Sequence, residues 1–226
     1  LFDRFASGSV QDLHDLRRHN LVRLAQQLDP DPKHAEHTAL LATELFDRTK
    51  SLHGLGDSER ELLDAAAIVH NVGLFISHSS HHKHSYYVIR NSEQLTGFTE
   101  HEVELIAVLA RYHRKSHPTE KHDEFAALKK DDQRLVRELA GMLRLAIGLD
   151  RRHAGLVESM RVIINDGTVR IEPLAPGAAD IDGGIDLEVY AARERSLLFA
   201  EAFDVTVEID VSAHDADDDA TDLESG

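Results

Sequence analysis

The chain has 226 residues, with 41 acidic side chains against 25 basic ones and a formal charge of −16 when histidine is neutral. That charge excludes a general nucleic-acid coat, because a phosphate backbone attracts the opposite sign, and no run of about 18 apolar residues offers a membrane span. Cysteine is absent, which removes disulfides, thiol nucleophiles and zinc–thiolate sites and fits a cytoplasmic protein. Leu1 opens no secretory leader, and a chain that starts on Leu is expected to be a portion of something longer. Histidine is the outlier of the composition. Of 16 in the chain, five fall between His70 and His84, where the average frequency predicts about one.

In chain order, Leu13, Leu16, Leu21, Leu24 and Leu28 recur at helical steps, and Leu41 and Leu45 continue the pattern after a break. The break is Asp29-Pro30-Asp31-Pro32, where a helix must stop. Ser58-Glu59-Arg60-Glu61 and Thr99-Glu100-His101-Glu102 read as capping boxes. The second opens a helix predicted to run to about Lys115, and a further helix spans about Asp131 to Leu149. The character changes near residue 156. Leu156 to Ile164, Thr168 to Leu174 and Ile185 to Val189 alternate as strands, with Asn165-Asp166-Gly167 as a hairpin turn. Ala191 to Phe203 reads as a helix and Val205 to Val211 as a last strand. The expected protein is mainly α: a helical lead-in (1–32), a helical domain (33–154), a small mixed α/β domain (155–211) and a disordered acidic tail (212–226).

Chemistry concentrates first at Ala65-Ala66-Ala67-Ile68-Val69-His70-Asn71-Val72-Gly73, an apolar helix ending in a His–polar pair. His37 lies four residues before Leu41 and shares its face, while Asp150 lies four after Ala146 and points inward with it. Three helices each offering an inward ligand is how all-helical metal sites are built. His37, His70, Asn71 and Asp150 are therefore candidate ligands for a divalent ion. The same four residues also describe a hydrogen-bonded polar core without metal, which is the reading preferred here.

A second concentration is His81-His82-Lys83-His84 together with Arg111, His113, Arg114 and Lys115. Between His70 and Pro118 five Lys/Arg face four Glu, so this stretch is slightly positive in a strongly acidic chain. Lysine supplies a point charge for phosphate and arginine a bidentate fork, and these eight residues are the candidate polyanion site. The bland alternative pairs Arg111 with Glu104 or Glu100 and buries His113 behind Val103, Ile106 and Ala110. His53, His101, His117, His122 and His153 read as solvated surface, and no acid is spaced to build a serine triad.

The order His37 … His70-Asn71 … Asp150 resembles the HD superfamily of metal-dependent phosphohydrolases, with Asn71 where that pattern has Asp. A neutral carbonyl oxygen replaces an anionic one, so the resemblance implies one weakly held Mg²⁺ or Mn²⁺ ion or none, and little hydrolysis by this site. More specifically, residues 66–78, His81-His82-Lys83-His84-Ser85-Tyr86-Tyr87-Val88-Ile89, Gly97-Phe98, Arg111-Tyr112-His113-Arg114-Lys115, Leu143-Arg144-Leu145-Ala146, Leu149-Asp150-Arg151 and Phe199-Ala200-Glu201-Ala202-Phe203 resemble the C-terminal half of the exopolyphosphatase / guanosine pentaphosphate phosphohydrolase family. That resemblance implies an HD-like helical domain followed by a small α/β domain. It also implies that the actin-like, phosphate-hydrolysing half lies outside this chain, which has no Gly-rich phosphate loop after a strand. The expected role is a regulatory module that binds polyphosphate or guanosine pentaphosphate and helps form a homodimer. The rivals are a stand-alone HD phosphohydrolase acting on a nucleotide and a dimerisation domain without ligand.

Overall fold

Helix α1 (Phe2–Leu28) stops at the expected punctuation, where Asp29 accepts from the Asp31 amide. Asp31 then caps α2 (Pro32–Arg48) by accepting from the His34 amide, with Pro32 in the first turn, where a missing N–H does no harm. The computed structural model describes residues 2–178 and 181–211, and of residues 2–12 the backbone helix alone. The acidic tail expected at 212–226 lies outside the described residues.

A short α3 (Lys50–His53) ends on left-handed Gly54 and leads into α4 (Asp57–Val69). The cap of α4 is Gly56 rather than Ser58: Glu59 Oε2 accepts from the Gly56 amide, so the acid half of the box forms two residues ahead of the predicted start. Leu63 and Ala65 to Val69 are fully buried. The small alanines let α1, α2, α6 and α8 all close on this one helix. Leu21, Leu24 and Ala25 of α1 belong to the same core, so the lead-in packs as part of the helical unit.

Helices α5 (His81–Arg90) and α6 (Glu100–Arg111) pair next to each other, and α6 opens on the predicted Thr99/Glu102 capping box. It ends at Arg111, four residues before the predicted Lys115. Tyr112 closes the helix, and Lys115 at φ 63 turns the chain away in the left-handed region. After α7 (Asp123–Ala126), α8 (Lys130–Leu149) runs through the core.

The α/β part has strands β1 (Ser159–Asn165) and β2 (Thr168–Leu174), antiparallel across a turn with positive φ at Asp166 and Gly167. No strand forms at Ile185 to Val189. Those residues open α9 (Asp186–Arg195), because Ile185, Val189 and Ala192 fall at four- and three-residue steps on one buried face, whereas Leu187 is exposed. A break at Ser196 separates α10 (Leu197–Phe203), and β3 (Thr206–Ile209) joins β2 in parallel, giving the sheet order β1-β2-β3. Both α9 and α10 pack on α8. Gly141 and Gly148 make that contact possible: a Cβ on Gly148 would lie 2.5 Å from Ala192 Cα, and one on Gly141 2.8 Å from Phe199 Cα.

Candidate functional site

Helix α4 ends at His70, and a 3-10 turn (Val72–Phe75) follows at once. Gly73 in that turn lies against the start of α5, where a Cβ would fall 2.2 Å from both the His81 carbonyl oxygen and the Ser85 nitrogen. Only glycine admits this approach. Ser85 Oγ accepts from the Gly73 amide (3.0 Å) and donates to the His70 carbonyl (2.6 Å). Residues 70, 73, 81 and 85 thus form one clasp, and it brings the first turn of α5 beneath the end of α6.

Clasping α5 to α4 lines up a row of imidazoles. His34 Nδ1 donates to Asp150 Oδ2 at 2.7 Å, with both side chains buried, and its ring stacks on His153 at 3.6 Å between centroids. The His34 ring meets His70 edge-on at 5.7 Å, His70 meets His113 at 5.0 Å, and His113 lies 5.1 Å from His81. His34 holds the place that sequence spacing gave to His37. One turn further along α2, His37 approaches Gly155 without hydrogen-bonding Asp150, and its buried Nε2 has no partner among the described residues. Asp31 fixes the phase of α2 by capping at the His34 amide, and this turns His34 inward.

Burial would raise the Asp150 carboxyl, but hydrogen bonds from His34 and the Gly155 amide outweigh it and hold the group below the usual carboxylate range. Burial drives His70 down to about 3 and His113 well below its ordinary value. Both rings are neutral at pH 7, each with Nδ1–H donating to a carbonyl three residues back, Ala67 (2.7 Å) and Ala110 (2.6 Å). His113 Nε2 is then an acceptor, and His81 Nε2 lies 3.1 Å from it. A donating His81 Nε2–H satisfies that contact and leaves His81 Nδ1 to accept from Arg114, 3.2 Å away. The opposite tautomer donates Nδ1–H to the His78 carbonyl, 3.2 Å away, and faces the His113 lone pair across 3.1 Å, so each neutral form of His81 leaves one of its two contacts unmatched. His81 and His113, expected as surface ligands for a polyanion, lie under the surface and steady Arg114.

Above them Lys83 is exposed, and His82, Lys83, Arg111, Tyr112, Arg114, Ser116 and His122 line a cavity of about 110 Å³. Arg111 pairs with Glu124 of α7, not with Glu104 or Glu100; Glu104 instead binds Arg90 and the Tyr86 hydroxyl. Among the described residues no carboxylate reaches ion-pair distance of Lys83, Arg114 or Lys115. Burial and the charges of Arg111 and Arg114 push His82 down to about 4, so it sits neutral beside them with Nδ1 unpartnered among the described residues. His84 lies half-buried in the same first turn of α5, and exposed Lys115 lies on the other side of Arg114. The turn carrying Arg114 is fixed from below. Arg144 of α8 donates to the carbonyls of Tyr112 (2.9 Å) and Lys115 (2.5 Å).

A family profile described as "Ppx/GppA phosphatase, domain III" matches residues 16–172. The chain belongs to the Ppx/GppA family. A relative from Pseudoalteromonas translucida (strain TAC 125), named guanosine-5'-triphosphate,3'-diphosphate pyrophosphatase, is 28% identical over 172 residues. The alignment covers 72% of this chain and 33% of the relative, so the chain spans about a third of the length of the curated relative it matches. The domain III match takes in the whole His34–Arg114 row and ends inside β2. Within this Ppx/GppA domain sequence reasoning gave no role to His34 or Arg144, and it read His122 and His153, which contact Tyr112 and the His34–Asp31 corner, as solvated surface. His122 was legible only through its contact with Tyr112 Oη, 2.9 Å away, since its spacing gives no pattern. His34 carried a signal, the Asp31-Pro32 cap that sets the phase of α2.

Proposed function

We propose that this chain is the polyanion-holding C-terminal part of a Ppx/GppA-type phosphohydrolase, with phosphoryl hydrolysis performed by a part of the enzyme that this chain does not span. The ligand class is polyphosphate or guanosine pentaphosphate, and the setting is a cytoplasmic homodimer. One observation carries the reading: Lys83, Arg111 and Arg114, from two helices and a turn, converge on one cavity of a protein whose net charge is −16. Arg114 arrives there preorganised by His81 and the Arg144-bound turn, so little ordering entropy is lost on gripping a phosphate. Holding a long chain away from the reaction centre raises its residence time by effective concentration.

The HD-like cluster does not supply the hydrolysis in this reading. Both oxygens of Asp150 are already engaged, by His34 and the Gly155 amide. Asn71 adds no charge, and among the described residues no three His, Asp or Glu side chains lie close enough to hold an ion. These residues do not fit a Mg²⁺ or Mn²⁺ ion as arranged, and they act as a buried polar row that positions the basic face. The test is polyphosphate binding by the chain and by Lys83→Ala/Arg114→Ala. A loss of at least ten-fold supports the proposal, and unchanged binding refutes it. Metal-dependent turnover of a nucleotide, abolished by His70→Ala, would establish the stand-alone hydrolase instead.

A further inference from the structure

A second cavity, of about 310 Å³, adjoins the first and shares Arg114 with it. Its walls come from both parts of the fold: Arg144 of α8, Arg195 at the end of α9, and Arg114 and Lys115 from the turn after α6, with His117, Glu194 and Leu197 at the edge. Four cations thus face one carboxylate. Arg144 is 6% exposed, yet among the described residues it has no acidic partner, only backbone carbonyls. Arg195 likewise has no ion pair among the described residues. Burial and its neighbour's charge lower Arg144 to about 10, and burial with the charges of Arg151 and Arg114 lowers Arg195 as well. Both stay cationic at pH 7 and repel each other.

The sequence builds this on purpose-shaped ground. Gly141, Arg144 and Gly148 fall at three- and four-residue steps, on one face of α8. The two glycines admit the backbones of α10 and α9, and the arginine between them is the only long side chain of that triplet at the seam. A buried, uncompensated guanidinium is unfavourable for the fold alone, and a bound oxyanion would offset it with charge-assisted hydrogen bonds. A volume near the lower end of small-molecule sites suits more than one phosphoryl group.

We propose that the cavity between Arg114, Lys115, Arg144 and Arg195 is a second seat for a condensed phosphate, taking a diphosphate unit and clamping α9 against α8. It is separable from the Lys83 cavity, though the two together make a continuous basic track through Arg114. The probe is pyrophosphate, titrated calorimetrically into the full chain beside orthophosphate. The seat predicts that pyrophosphate binds more tightly than orthophosphate, that Arg195→Gln weakens it at least ten-fold, and that Arg195→Lys recovers most of the loss. Lys50→Gln, exposed and remote on α3, removes the same charge and should change the affinity by less than two-fold. Thermal unfolding of Arg195→Gln separates a folding failure from a binding loss, and Arg195→Lys keeps the test alive if that variant fails to fold. Absence of pyrophosphate binding, equal or tighter orthophosphate binding, or a loss under ten-fold in folded Arg195→Gln overturns the seat. If long-chain polyphosphate fails to depend on Lys83 while pyrophosphate depends on Arg195, the first reading falls and this one stands. The reverse pattern removes only the second seat.

Discussion

Gly73→Ala is the sharpest test of how the site is assembled. The added Cβ would fall 2.2 Å from two backbone atoms of α5, the His81 oxygen and the Ser85 nitrogen, and 2.7 Å from the His84 carbonyl carbon. Non-bonded heavy atoms settle near 3.5–4.0 Å, so α5 must retreat by more than about 1 Å. Overpacking of this kind costs about 1–3 kcal/mol and sometimes more, and rigid backbone neighbours put it at the upper end. The retreat also stretches both Ser85 hydrogen bonds, at about 1 kcal/mol each. A total near 5 kcal/mol corresponds to a melting-point drop of about 10–20 °C for a chain of this size. Urea and thermal unfolding read the loss directly. Gly177→Ala is the control, because its Cβ would meet only Glu158 Oε1 at 3.8 Å. If Gly73→Ala costs less than about 1 kcal/mol, the close approach of α5, and the alignment of His81 that depends on it, is wrong.

Removing either partner of the buried His34–Asp150 pair should destabilise the chain by about 3–5 kcal/mol. In a double-mutant cycle with His34→Ala and Asp150→Ala, the double variant should be no more than about 1 kcal/mol worse than the worse single one. Additive losses would show that the two do not act as a pair. Acid sensitivity follows from His70 and His113. Each titrates near 6.5 when unfolded but is depressed by burial when folded, so unfolding takes up protons below that pH. Their contribution is complete above about pH 6.5 and is lost progressively as pH falls below it, for His70 down to about 3, at about 1.4 kcal/mol per pH unit for each proton. His70→Gln should lower the proton uptake on unfolding by about one, measured from urea midpoints between about pH 7 and 4. Stability that stays flat between about pH 7 and 5 contradicts this.

The helical half was readable because its signals are local: Asp31-Pro32, the Thr99/Glu102 box and the alanine run each act within a turn or two. The errors arose where tertiary contact decides. Ile185 to Val189 alternates like a strand, yet packing against α8 selects the helical face that contains Ile185, Val189 and Ala192. Counting back from Leu41 put His37 inward, whereas the cap at Asp31 and the reach to Asp150 put His34 there. The basic residues of the surface were legible as a cluster of composition. That His81 and His113 lie beneath it as neutral struts depends on the Gly73 clasp, which is a distance between backbones that no residue count reveals. Arg144 entered the sequence reading only as part of the Leu143–Ala146 family match, and the turn it grips shows its part.

The central claim is that this acidic chain holds a polyanion on Lys83, Arg111 and Arg114. The most direct measurement is the affinity for long-chain polyphosphate across a salt series. Three phosphate contacts, each adding about 0.7–0.9 to the logarithmic slope, predict a fall of about twenty- to forty-fold between roughly 50 and 200 mM salt. In Lys83→Ala that slope should drop by about one contact's share. Absence of binding at roughly 50 mM salt, or an affinity that does not change with salt, would contradict the claim.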